Sequence, residues 1–95
     1  ERISAQDAER LGLVNKTVPD ADLLAEAMSM AQKIARFSPL VLKLLKRTLN
    51  DGAEMPLGAA LRHEQAMIGL ALDSRDAHEG CTAFLEKRAA EFTGE

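Results

Sequence analysis

Residues 37–52 read FSPLVLKLLKRTLNDG, and this stretch carries most of the marks of an α-helix. Ser38 can accept from the first free amides, and Pro39 follows at the position where its fixed φ suits a helix best. Leu40, Val41, Leu44, Leu45, Thr48 and Leu49 then recur at three- and four-residue spacing, which puts them on one face. Asn50-Asp51-Gly52 reads as the stop. A helix with one apolar stripe needs other surfaces to cover it, so its neighbours in sequence decide the fold.

Working toward the N-terminus, Ala21 to Arg36 holds Leu23, Leu24, Ala27, Met30, Ala31, Ile34 and Ala35 at helical spacing. Ser4-Ala5-Gln6-Asp7 reads as another helix start, with Gly12 supplying a left-handed stop after a short helix near residues 5–11. Leu13 to Val18 contains three β-branched residues in rough alternation and is expected to be extended, with Pro19-Asp20 as punctuation. Toward the C-terminus, Pro56 opens a helix with Leu57, Ala60, Leu61, Glu64, Met67, Ile68, Ala71 and Leu72 on its face. Ser74 caps a last helix through DAHEGCTAFLEKR, Asp76 to Arg88. The expectation is a mainly α chain of about five helices plus one short extended segment. A lone strand leaves its backbone donors and acceptors unpaired, so that segment is expected to settle on something outside this chain. Glu1 in place of an initiator methionine points the same way, toward a piece of a larger protein.

Ninety-five residues allow one domain at most. Three Phe, no Trp and no Tyr, against many Ala and Leu, suit helices packed on helices. A net charge of −3 gives no general attraction to nucleic acid, and one cysteine forms no internal disulfide, which fits a reducing compartment. No apolar run approaches the ~18 residues of a membrane span, and the first residues do not resemble a signal peptide.

The candidates for chemistry are few. His63-Glu64 and His78-Glu79 each resemble the start of a zinc-binding helix motif, but the fourth residue after each histidine is Met67 or Thr82 rather than a second histidine. His78 and Cys81 share a face, and two ligands do not make a metal site. Cys81 reads as a structural thiol, and no glycine-rich phosphate loop occurs. Lys43, Lys46 and Arg47 lie together on one helical face, as an anion patch or a solvated surface. Phe84 precedes Lys87 and Arg88 by three and four residues. An aromatic beside a cation can stack on a flat ring and pair with its phosphate; equally, the cations can complement the macrodipole of the last turn.

Three stretches in order resemble the C-terminal third of the crotonase superfamily, the enoyl-CoA hydratase/isomerase family. They are ISAQDAERLGLVNKTV (Ile3 to Val18), IARFSPLVLKLLKRTLNDG (Ile34 to Gly52) and DSRDAHEGCTAFLEKRAAEF (Asp73 to Phe92). The last is similar to the family's closing pattern, with Ser74 where threonine is usual and Ala90 where proline is common. Ile68 stands where some hydratases carry an aromatic residue near the acyl chain.

The resemblance implies the helical end of a crotonase fold, with residues 1–20 closing the core region and 21–95 forming a helical trimerisation and CoA-covering region. It implies a parent acting on acyl-CoA thioesters, most simply by hydrating a 2-enoyl-CoA; isomerase, dehalogenase and hydrolase chemistries leave similar terminal helices. The family's oxyanion hole and catalytic acids belong to a β-rich core before this region, so no catalytic residue is assigned here, and Glu64, Glu79 and Glu86 are not promoted to that role. By motif, Phe84 and Lys87 are the CoA-contacting residues, toward the adenine and its phosphate. The remaining expectations are no metal, no cofactor beyond the CoA of the substrate, and a homo-oligomer, a trimer or dimer of trimers in the parent. Neither nucleic acid nor membrane is expected as a partner, and the compartment is the cytoplasm, or the mitochondrial matrix in a eukaryote. The alternative reading of these residues is a noncatalytic helical module for oligomerisation and CoA binding.

Overall fold

A computed structural model describes residues 2–95, which divide into two compact units, one up to Lys33 and one from Ile34 onward. Among the described residues there are five α-helices: α1 (Ala5–Arg10), α2 (Leu23–Ile34), α3 (Pro39–Ala53), α4 (Leu57–Leu72) and α5 (Arg75–Glu86).

In the first unit, Ser4 caps α1 by accepting from the Asp7 amide at 3.0 Å, and Arg10 pairs with Asp7 at 2.9 Å. The helix ends as expected at Gly12, whose φ of +74° is the left-handed conformation a side chain disfavours. Two crossed bonds close it: the Gly12 amide donates to Glu9 and the Leu13 amide to Ala8, at 3.0 and 2.8 Å. Leu13 to Val18, expected to be extended with no partner strand inside this chain, joins no ladder among the described residues. A strand requires a partner edge. Here Thr17 instead donates its amide and its hydroxyl to the Glu9 carboxylate, tying the segment back to α1. A 3-10 turn at Asp20–Asp22 leads into α2, and Lys16 reaches Glu26 on that helix at 2.9 Å.

In the second unit, Ser38 and Pro39 start α3 as read from sequence, with Ser38 Oγ accepting from the Val41 amide at 3.2 Å. The stop is displaced. Gly52 lies inside the last turn of α3, and the helix ends one residue later at Ala53. Gly52 faces α4, where a Cβ at that position would stand at ordinary contact distance, 3.7 Å, from the Cβ of Ala60. Val41 shares a groove with Ala71, and Asp51 lies beside His63, so α3 and α4 run antiparallel. Ser74 then caps α5, accepting from the Ala77 amide at 3.0 Å while donating to the Ala71 carbonyl.

Very little is buried. Leu44 and Ala83 are the buried apolar residues, while Leu24, Leu57, Phe84 and Leu85 are each more than 70% exposed. The chain exposes 8025 Å², where even two separate compact bodies of these lengths would expose roughly 6,400 Å². The apolar stripes of α2, α3 and α4 exist as the spacing predicts, but much of their surface is bare.

Candidate functional site

A cluster of polar contacts in the second unit is built on α5. Asp76, in its first turn, is 2% exposed. Its carboxylate accepts from the Ser38 hydroxyl at the start of α3, from the Thr93 amide at 2.8 Å and from the Gly94 amide at 2.9 Å. One turn on, Glu79 takes Arg88 in a two-pronged pair, Nη1 to Oε1 at 2.6 Å and Nη2 to Oε2 at 2.9 Å. Glu79 Oε1 also accepts from the Glu91 amide at 2.8 Å. Next to Glu79, Gly80 faces the Phe92 ring, whose Cε1 would lie at ordinary contact distance, 3.6 Å, from a Cβ there. The three residues together fold the chain after Arg88 back along its own helix.

These contacts set the protonation of the cluster. Burial opposes the Asp76 charge more than any other single influence, but the bonds from Ser38, Thr93 and Gly94 together outweigh it and hold the carboxyl below its ordinary range. The Arg88 guanidinium, helped by the Glu91 amide, brings Glu79 down to about 2, and Arg88 is raised in turn. The Glu79 shift is downward, so the stability it lends is complete above the ordinary Glu value of 4.5 and is lost as pH falls through about 2. The Asp76 shift is downward too, so its contribution is likewise lost toward acid. The Glu91 amide and Phe92 ring resonances are therefore expected to leave their neutral-pH positions between pH 4.5 and about 2. A tail that stays folded back at pH 1.5, about half a unit below the Glu79 value, would remove the carboxylates from this role.

The two residues singled out for CoA stand where this reversal begins. Phe84, on the last turn of α5, is 82% exposed. Lys87 is the first residue past the helix and takes φ +55°, ψ +38°, in the left-handed region. Its amide donates to Phe84 and the Arg88 amide to Ala83, the same crossed pair that closes α1. The contrast within one chain is informative. At the equivalent position α1 has Gly12, while α5 has a lysine, which costs about 1–2 kcal/mol in that conformation. The two adjacent cations also part company: Arg88 pairs with Glu79 and Glu86, and Lys87 forms no ion pair among the described residues. Spacing along a continuous helix did not foresee this division, since the reversal at Lys87 takes Arg88 off the helical path.

The other candidates lie apart from this corner. His63 Nε2 is buried, 3.5 Å from Asp51 and without a hydrogen-bond partner, at the α3–α4 contact. Cys81 is exposed on α5 in a cleft of about 340 Å³ shared with Phe37, Leu72 and Phe92. No three His, Cys, Asp or Glu residues converge as a metal cluster among those described. Ile68 and Glu64 line a shallow groove of about 120 Å³ with Leu44 and Met67. Arg47 of the basic group lies 3.9 Å from Asp51 on its own helix.

Comparison with known proteins gives a consistent result. The family described as enoyl-CoA hydratase/isomerase matches residues 1–95. The 2,3-dehydroadipyl-CoA hydratase of Escherichia coli (strain K12) is 40% identical over 94 residues, covering 99% of this chain and 37% of that protein. The mitochondrial enoyl-CoA hydratase of Pongo abelii is 40% identical over 92 residues, covering 97% of this chain and 32% of the relative. The crystal structure of an enoyl-CoA hydratase from Bacillus anthracis superposes with a TM-score of 0.96 at 36% identity, over 100% of this chain and 37% of that one. The chain thus spans about a third of the length of these relatives.

Proposed function

The chain belongs to the enoyl-CoA hydratase/isomerase family, and from that premise we propose that it serves an enzyme that hydrates 2-enoyl-CoA thioesters, contributing contacts to the CoA. The match of the whole chain to proteins named as hydratases carries the choice of reaction. The contacts to CoA rest on the corner formed by Phe84 and Lys87. An exposed ring suits the face of the adenine, and an ammonium with no ion-pair partner among the described residues suits a phosphate of the same nucleotide. In this reading the substrate brings the CoA and no resident cofactor is called for. The compartment is the cytoplasm or the mitochondrial matrix; no described helix is long and apolar enough to cross a membrane.

A second reading rests on the bare apolar surface. Stripes left open on α2 and α3 favour association with further protein, so residues 21–95 act as a helical cover and oligomer contact, in a trimer or dimer of trimers. The two readings are compatible, because one concerns the ligand and the other the surfaces beside it.

The test uses a hybrid in which residues 1–95 replace the segment of the Escherichia coli hydratase with which they align. In the hybrid, Lys87→Ala is expected to raise KM for the enoyl-CoA about fivefold, as for loss of one largely exposed charge-assisted contact. The same change should leave KM for the thioester of 3′-dephospho-CoA where it was. Equal KM values for Lys87→Ala and the unaltered hybrid would withdraw Lys87 from the ligand.

A further inference from the structure

We infer that Glu79 is a positioning residue for Lys87, keeping it in the left-handed turn from which it meets the phosphate of CoA. The inference rests on the reading of Lys87 given above and adds a residue that touches no ligand.

The reason is geometric. On an uninterrupted helix, residue 88 would stand about 13.5 Å along the axis from residue 79 and half a turn round, on the opposite face. A guanidinium there does not close a two-pronged pair with the Glu79 carboxylate. The observed pair, with contacts of 2.6 and 2.9 Å, exists because the chain leaves the helix at Lys87. The ion pair therefore requires the left-handed Lys87, and by linkage it favours that turn over a continued helix. Glu79 adds a third bond, to the Glu91 amide, so its carboxylate grips both the side chain and the backbone that follow the turn.

That grip matters at Lys87 more than at Gly12. Glycine enters the left-handed region without strain, and the α1 turn closes with two backbone bonds. Lysine resists it, and without an outside hold the last turn of α5 gains by adding Lys87 in the right-handed form. The side chain then leaves the helix end in another direction, and the phosphate loses its partner. Glu86 bonds Arg88 Nε at 2.7 Å, and because residues two apart on a helix do not face each other, this contact also belongs to the turned form. Glu79 differs in gripping the backbone after the turn as well.

The experiment compares Glu79→Gln, Lys87→Ala and the double substitution in the hybrid, with the enoyl thioesters of CoA and of 3′-dephospho-CoA. Glu79→Gln is expected to raise KM for the CoA thioester three- to fivefold with kcat changed less than twofold. It should leave KM for the dephospho thioester unchanged and add nothing to Lys87→Ala. A rise in KM for both thioesters alike, or an effect that adds to that of Lys87→Ala, would make Glu79 a support of the fold only and overturn the inference. If Lys87→Ala raises KM and Glu79→Gln does not, the positioning role fails while the CoA reading stands. If Lys87→Ala has no effect, both fall together.

Discussion

Asp76→Ala is expected to release Thr93 and Gly94 from the second unit, with amide exchange there accelerated roughly 100-fold or more, while Glu95 keeps its bonds to the residue-76 amide and to Arg75. Four donors converge on one buried carboxylate: the Ser38 hydroxyl, the Thr93 hydroxyl and the two tail amides. Removing the acceptor takes this partner from all four in a place where Asp76 itself is 2% exposed. Opening the tail to water is then cheaper than keeping it closed over unsatisfied groups. Asp76→Asn should fall between, since its amide retains one acceptor oxygen but turns an NH2 group toward donors. The loss should also reach α3, because the Ser38 hydroxyl that donates to Asp76 is the same atom that caps Val41. Ser38→Ala is accordingly expected to cost about 1 kcal/mol at the cap and to loosen the tail as well. Exchange at Thr93 and Gly94 no faster in Asp76→Ala than in the unaltered protein would show that the tail is held by something other than this carboxylate.

The second large effect concerns residues 1–95 by themselves. Alone, they are expected to hydrate crotonyl-CoA no faster than buffer does, a loss of at least ~10⁶-fold against a complete enzyme. The carboxyls whose acidity is displaced, Asp7, Glu26, Asp76 and Glu79, are all displaced downward by bonds to arginine, lysine, hydroxyl or amide groups. A general acid working near neutral pH needs the opposite shift. The same preparation should sediment as oligomers at micromolar concentration, because so much apolar surface on α2 and α3 is open. Turnover that persists in a clean preparation, or a compact monomer at high micromolar concentration, would count against each half of this expectation in turn.

The helices were legible because their ends are written in short range. Ser4, Ser38 and Ser74 each accept from the amide three residues on, and Pro39 and Gly12 stand where their backbone limits put them. Two local signals gave less than the whole picture. Gly52 was read as the stop of α3, and the helix ends one residue later at Ala53. Leu13 to Val18 had the composition of an extended segment with no partner edge in this chain, but composition does not announce that the Glu9 carboxylate ties Thr17 back to α1. The site was half legible. Family resemblance pointed to Phe84 and Lys87, but the tasks of Asp76 and Glu79 depend on a reversal at residue 87 that periodicity does not announce. The usable signal was weak: two acids three apart at the start of a helix, with an arginine, a phenylalanine and a glycine beyond its end.

The reversal at Lys87 also bears on proteolysis. Lys87-Arg88 is the one dibasic pair beyond α3. A trypsin-like protease binds its substrate as an extended strand, and it cannot do so while Lys87 closes the helix and Arg88 is gripped by Glu79. Cutting after Lys87 thus requires the clasp to open first, and its rate reports the open fraction. Ligand captured by Lys87 would slow that cut, and acid or loss of Asp76 would hasten opening, so one gel band follows the state of the whole corner.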